Sequence, residues 1–132
     1  MIKKVDILII LINIIFFAYY SIQLIIFTDE FAINNLGFFN HTVAGLSEII
    51  GIIFITFIIA LLLITFRGLE KQLPFILIIF LFQFLAALNF WRYVLTNSPG
   101  ESDLFTISIN ALIFSFCSLL TILFIFNNKK YL

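Results

Sequence analysis

The chain of 132 residues contains one cysteine, one histidine, two prolines and five glycines, and only 11% of it is charged. A single cysteine excludes an internal disulfide and any cysteine-built metal site. Two prolines exclude a proline-rich linker. The one histidine, His41, lies outside every long apolar run, which excludes haem or chlorophyll ligation by histidines within the spans. The scarcity of charge reaches furthest. Soluble domains are about one quarter charged and about half apolar, whereas this chain is 64% hydrophobic with a mean hydropathy of +1.24. So short a chain has too little interior to hide that much apolar side chain, which rules out a water-soluble globule. Its solvent is lipid.

Crossing the hydrocarbon of a bilayer takes about 20 residues at roughly 1.5 Å of rise each. Four apolar runs reach that length, at residues 6–27, 43–66, 73–93 and 104–126. The first is interrupted by Asn13, Ser21 and Gln23, and the second carries Glu48 near its start. The third holds Gln83 mid-way with Asn89 and Arg92 towards its end, and the fourth holds Asn110 among serines and threonines. Barrel strands alternate apolar with polar over about ten residues, and the run from Ile49 to Phe66 does not alternate. The expected fold is therefore an all-α integral membrane protein, an antiparallel four-helix transmembrane bundle forming a single domain over residues 1–132. Lys3 and Lys4 ahead of an apolar stretch resemble a secretory signal. The stretch is too long for a signal core and no small-x-small cleavage site follows, so it is expected to stay as the first span.

Lysines and arginines in short connections set orientation. Lys3, Lys4, Arg67, Lys71, Lys129 and Lys130, six of the seven basic residues, fall on one side, which places both termini in the cytoplasm. The opposite side carries Asp29, Glu30, Glu48, Glu101 and Asp103 against Arg92 alone. That acidity makes nucleic-acid binding there unfavourable. The connections are short, so consecutive helices are expected to be antiparallel neighbours. Residues 67–72 form a tight turn, Pro74 suits the first turn of the third helix, and Asn97-Ser98-Pro99-Gly100 is a turn signal on the outer side. The outer connection at residues 29–40 includes Phe31, Ile33, Leu36, Phe38 and Phe39, too apolar for a free loop. It is expected to lie in the membrane interface.

Polar side chains within lipid are costly, and they either face the bundle interior or mark function. Gln23, Asn89 and Asn110 each lie about one turn inside the outer boundary, with Glu48 and Arg92 a little shallower and Tyr19, Tyr20, Trp91 and Tyr93 in the same zone. All four helices thus supply polar groups to one outer tier. In one reading the aromatics form an interfacial belt, Arg92 reaches to headgroups, and the amides cross-link helices. In the other, Glu48 and Arg92 pair in a small cavity open to the outer leaflet, and Asn89, Asn110 and Gln23 orient the headgroup of a bound lipid or quinone. A Glu48–Arg92 pair is expected in either.

Small residues recur at helical spacing, with Ser108, Ala111, Ser115 and Ser118 on the fourth helix and Ala44, Ser47 and Gly51 on the second. Such stripes let helices approach closely where lipid gives no hydrophobic drive for association. A serine-lined conduit is the competing reading, although serine hydroxyls readily bond their own helix backbone. The chain carries no nucleotide-binding glycine loop, zinc-ligand spacing or nucleophile elbow. Ser102, His41 and Asp103 do not have the spacing of a triad, and Cys117 sits in apolar surroundings that keep a thiol protonated. No catalytic residue and no metal ligand is assigned. Glu101 and Asp103 read as solvated acids, and Asn40-His41-Thr42 has the form of a glycosylation acceptor. The middle of the spans offers Gln83 and no acid, histidine or lysine, which disfavours proton-coupled transport by a monomer. A neutral pore between protomers needs no such charge.

From the second helix onward the chain resembles the DoxX-like group of small four-helix bacterial membrane proteins. The resemblance is carried by Ser47-Glu48-Ile49-Ile50-Gly51, the basic turn from Arg67 to Lys71, and Asn89 to Arg92 closing the third helix before Pro99-Gly100. Related families often have an acid early in the fourth helix, where this chain has Asn110. The resemblance implies a bacterial inner-membrane bundle, some of whose relatives are membrane subunits of redox systems. Richness in Phe, Ile, Asn and Lys also fits an AT-rich genome, bacterial or organellar. The expected role is that of a non-enzymatic accessory subunit in a larger membrane complex or homo-oligomer. Lipid or quinone binding at the outer tier and an oligomeric pore for ions or small solutes are the alternatives.

Overall fold

A computed structural model describes residues 4–97 and 103–130, which form five helices. They are α1 (Lys4–Ile25), α2 (Thr28–Leu36), α3 (His41–Arg67), α4 (Leu73–Thr96) and α5 (Leu104–Asn128), and no strand occurs among the described residues. α1, α3, α4 and α5 are each long and apolar enough to cross a membrane. Lys3, Glu101, Ser102 and the turn signal Ser98-Pro99-Gly100 lie outside the described residues.

Local chemistry sets the helix ends. Asn40 caps α3 by accepting a hydrogen bond from the Val43 amide at 2.9 Å, so the asparagine of the glycosylation-like triplet serves as a helix cap. Asp103 caps α5 through its Oδ2, which accepts from the Thr106 amide at 2.9 Å and the Thr106 hydroxyl at 2.6 Å. Pro74 sits in the first turn of α4, where a missing N–H leaves no bond unmade. Gly37 closes α2 in the left-handed region at φ 76°, its amide donating to the Ile33 carbonyl. The connection between α1 and α3 is thus largely helical. Thr28, Phe31, Ala32 and Asn35 of α2 turn inward, and Asp29, Glu30, Ile33 and Leu36 turn outward.

α1 packs on α3, α4 packs on α5, and α1 and α5 meet at the centre. Asp6, Asn13 and Tyr20 of α1 bond to Asn128, Thr121 and Asn110 of α5 in that order, so these two helices run in opposite directions. The same order reversal relates α4 to α5, where Gln83 meets Thr121 and Trp91 meets Ser115. Phenylalanine rings fill the space between. Phe16 meets Phe114 edge-on at 4.8 Å between centroids, Phe17 meets Phe54 at 5.4 Å, and Phe82 meets Phe54 at 5.3 Å and Phe57 at 5.4 Å. These last two pairs tie α3 to α4 across the core. Such tilted and edge-on contacts follow the ring quadrupoles.

α1 and α3 approach closely at Gly51. A Cβ there would lie 2.5 Å from Ile25 Cγ1 and 3.3 Å from Leu24 Cβ, so only a bare Cα fits. Beside it the Ser21 hydroxyl donates to the Phe17 carbonyl at 2.8 Å and reaches the Gly51 carbonyl at 3.3 Å.

Candidate functional site

Polar groups inside the bundle gather in three tiers on one face of α1, at Asp6, Asn13 and Tyr20. The spacing of seven residues, nearly two full turns, keeps them in line. In the middle tier Gln83 Nε2 donates to Asn13 Oδ1 at 2.6 Å, and Thr121 Oγ1 lies 2.8 Å from Gln83 Oε1 and 3.2 Å from Asn13 Oδ1. Asn13 Nδ2 donates to the Ile9 carbonyl at 2.9 Å, and Thr121 also reaches the Cys117 carbonyl at 2.9 Å. Gln83 is fully buried, and Asn13 and Thr121 nearly so. α1, α4 and α5 are therefore clamped together at mid-length by side chains alone.

At one end of the bundle Asn128 donates to Asp6 Oδ1 and to its own helix at the Phe124 carbonyl, both residues being buried. At the other end the Tyr20 hydroxyl donates to Asn110 Oδ1, and Asn110 Nδ2 donates to Asn35 Oδ1. Asn35 Nδ2 in turn donates to the Phe31 carbonyl at 2.9 Å. This tier fastens α2 to α1 and α5. Among the described residues every buried side-chain nitrogen and oxygen has a hydrogen-bond partner, as burial in an apolar interior requires.

A cavity of about 10 Å³ adjoins the middle tier, lined by Ile9, Asn13, Leu61, Ile79, Thr121 and Phe124 among others. It is room for a single water molecule. A larger apolar groove of about 310 Å³ opens sideways between α1 and α3, lined by Ala18, Ser21, Ile22, Ile25, Ile55 and Ile58. Its walls are apolar.

The residues of the outer polar tier take separate places. Asn110 is buried in the Tyr20–Asn35 network. Asn89 and Arg92 are exposed on α4, where an Arg92 Nη2 donates to Asn89 Oδ1 at 3.1 Å and the guanidinium carbon stands 4.9 Å from the Tyr93 ring centroid. Glu48 is exposed on α3 and Gln23 half-buried on α1, and neither bonds to the other three. The expected Glu48–Arg92 pair does not form within the chain. α3 and α4 meet through Phe54, Phe57 and Phe82, while each charge points away on the outer face of its own helix.

In the small-residue stripes, Ser47, Gly51, Ala111 and Ser118 are buried, while Ala44, Ser108 and Ser115 are half-buried. The hydroxyls of Ser108 and Ser115 donate to the Leu104 and Ala111 carbonyls one turn back, each at 2.8 Å, and Trp91 Nε1 donates to Ser115 Oγ at 3.0 Å. These hydroxyls donate to their own helix, as serines in apolar helices commonly do.

The tiers at Asp6–Asn128 and Asn13–Gln83–Thr121 were not singled out from the sequence as a site. A signal was present in the spacing of seven on α1 and again between Thr121 and Asn128. Nothing in the sequence shows which helix Gln83 faces. Chemically these amides, one hydroxyl and one carboxyl hold helices in register. No group of three or more histidines, cysteines and acids stands ready for a metal among the described residues. Compared with family models, with curated proteins and with solved structures, the chain matches none.

Proposed function

We propose that this chain is a non-enzymatic polytopic membrane protein, an accessory subunit of a larger membrane complex. In this reading the long helices form an antiparallel transmembrane bundle with both termini cytoplasmic, and α2 lies in the opposite interface. The observation that carries it is the commitment of the interior polar groups. Asn13, Gln83, Thr121, Tyr20, Asn110 and Asn35 direct their hydrogen bonds to one another or to backbone. The outer faces present Ile, Leu and Phe along every long helix, a surface suited to lipid and to neighbouring helices. The basic residues at one end support the orientation, and the resemblance to DoxX-like proteins supports a bacterial inner membrane.

Native mass spectrometry of the protein extracted from its own membrane in mild detergent tests this. Heteromeric masses containing the chain are expected. A lone monomer would overturn the reading.

A second reading, lipid or quinone binding from the outer leaflet, draws on the groove between α1 and α3 and on the exposed Arg92 and Asn89. In that case the extracted protein carries a defined small adduct, and Arg92→Ala and Glu48→Ala reduce its amount. Unchanged adduct in both variants would remove that reading.

A further inference from the structure

Two charges of opposite sign stand on the least covered helices. Of their most apolar 18-residue stretches, 44% of α1 and 39% of α5 is buried, against 22% in both α3 and α4. Glu48 is exposed on α3 and Arg92 is exposed on α4, with no ion pair between them. Both lie at the end of the bundle away from the α3–α4 turn. Glu48 is six residues from the middle of α3, about 9 Å, and Arg92 is between seven and eight from the middle of α4, about 11 Å. The hydrocarbon of a bilayer extends about 15 Å from its midplane. Helices centred in a bilayer would therefore hold both charges inside it at nearly one level, where an unpaired charge is costly.

The surroundings of the two charges match. On α3, Gly45, Ile52 and Ile59 share the face of Glu48 at helical spacing and are exposed. A Cβ on Gly45 would meet nothing within 4 Å, which leaves a shallow opening beside the carboxylate. On α4, Leu81, Leu85 and Leu88 form the matching apolar stripe below Arg92. Arg92 is held against its own helix by Asn89 and the Tyr93 ring, with most of its five N–H donors still available.

We infer that copies of this chain associate side by side, the α3 face of one on the α4 face of the next, through an ion pair between Glu48 of one copy and Arg92 of another. An outward α3 and an outward α4 meet antiparallel, which brings the two charges level and lays the isoleucine stripe along the leucine stripe. Gly45 makes room for the Arg92–Tyr93 stack. The two faces differ, so the contact is heterologous and repeats from copy to copy until it closes into a ring. This self-association is independent of the accessory-subunit reading, because its test counts copies of this chain and no other partner.

Subunit counting of the fluorescently labelled full chain by photobleaching, in vesicles of phosphatidylcholine and phosphatidylglycerol, tests the inference. The unaltered chain is expected to show several copies per spot. Glu48→Arg and Arg92→Glu are each expected to fall to single copies, because like charges then face each other. The double variant Glu48→Arg/Arg92→Glu restores the original count, and an equimolar mixture of the two single variants restores spots of several copies, in even numbers because the two variants must alternate. The mixture separates an intermolecular pair from any pair within one chain. Restoration also distinguishes a lost contact from a failure to fold, since no misfolded chain is repaired by mixing. Single copies of the unaltered chain, single variants that keep its count, or a double variant and a mixture that both stay single would each overturn the inference.

Discussion

Gln83 donates to Asn13 across 2.6 Å in the middle of the bundle, joining α4 to α1 over 70 positions of sequence. Gln83 is fully buried, and Thr121 contacts both partners from α5. The bond gives three helices one shared height. An apolar stripe alone would allow a helix to slide by a turn at small cost, whereas a slide here would strand two amides in hydrocarbon.

The strength of that bond is accessible by a double-mutant cycle on Asn13→Ala and Gln83→Ala, read from reversible unfolding in mixed micelles. Interhelical hydrogen bonds in membranes average about 0.6 kcal/mol and reach about 1.7 kcal/mol. A coupling near the upper value is expected, because Gln83 is fully buried and its bond is short. Strict additivity would show that the tier does not hold the helices.

Two glycines on α3 are expected to respond in opposite ways to alanine. Gly51→Ala drives a methyl into Ile25 at 2.5 Å and is expected to cost about 1–3 kcal/mol of unfolding free energy, the usual range for overpacking. Gly45→Ala meets nothing within 4 Å and is expected to be neutral or to stabilise by up to about 1 kcal/mol through helix propensity. Unfolding midpoints of the two variants check this, and equal effects would contradict the close approach of α1 and α3 at Gly51.

Asn35 is the side chain that links α2 to Asn110. Replacing it with leucine is expected to speed amide exchange in residues 28–36 about fivefold, the equivalent of about 1 kcal/mol for one hydrogen bond. Exchange in the middle of α5 should stay as it was. Unchanged exchange in α2 would mean that Phe31 and Ala32 hold it without the amide.

The cap of α5 gives a dependence on pH. The Thr106 hydroxyl, and next the Thr106 amide, bond the exposed Asp103 carboxylate and hold its pKa below the ordinary 3.8. A carboxyl whose folded value is depressed stabilises the fold fully above its unfolded value, and the contribution is lost as pH falls through the folded value. The first turn of α5 is therefore expected to fray below about pH 4, seen as a shift of the Thr106 amide resonance. Asp103→Asn keeps a good cap without a titrating group, and the shift should vanish in it.

Much of this architecture was legible in the residues themselves. Length and apolarity alone mark four helices, because a run of twenty or so apolar residues has no other stable form in lipid. Asn40 and Asp103 cap α3 and α5 in the structure, whereas by sequence they read as part of a glycosylation-like triplet and as a solvated acid. The partners of Asn13, Gln83 and Asn110 were not legible. Their partners stand 38 to 108 positions away, and spacing within one helix defines a face without saying what covers it. Glu48 and Arg92 show the same divide. Their positions along α3 and α4 followed from counting residues, but their exposure on outer faces was decided by Phe54, Phe57 and Phe82 taking the space between α3 and α4. The sequence by itself determined the number of long apolar helices and the place of each polar group along its own helix, both of which depend on local chain length and composition. Which polar groups meet inside, and which charges are left facing outward, was decided by the tertiary packing of phenylalanine rings and one bare glycine.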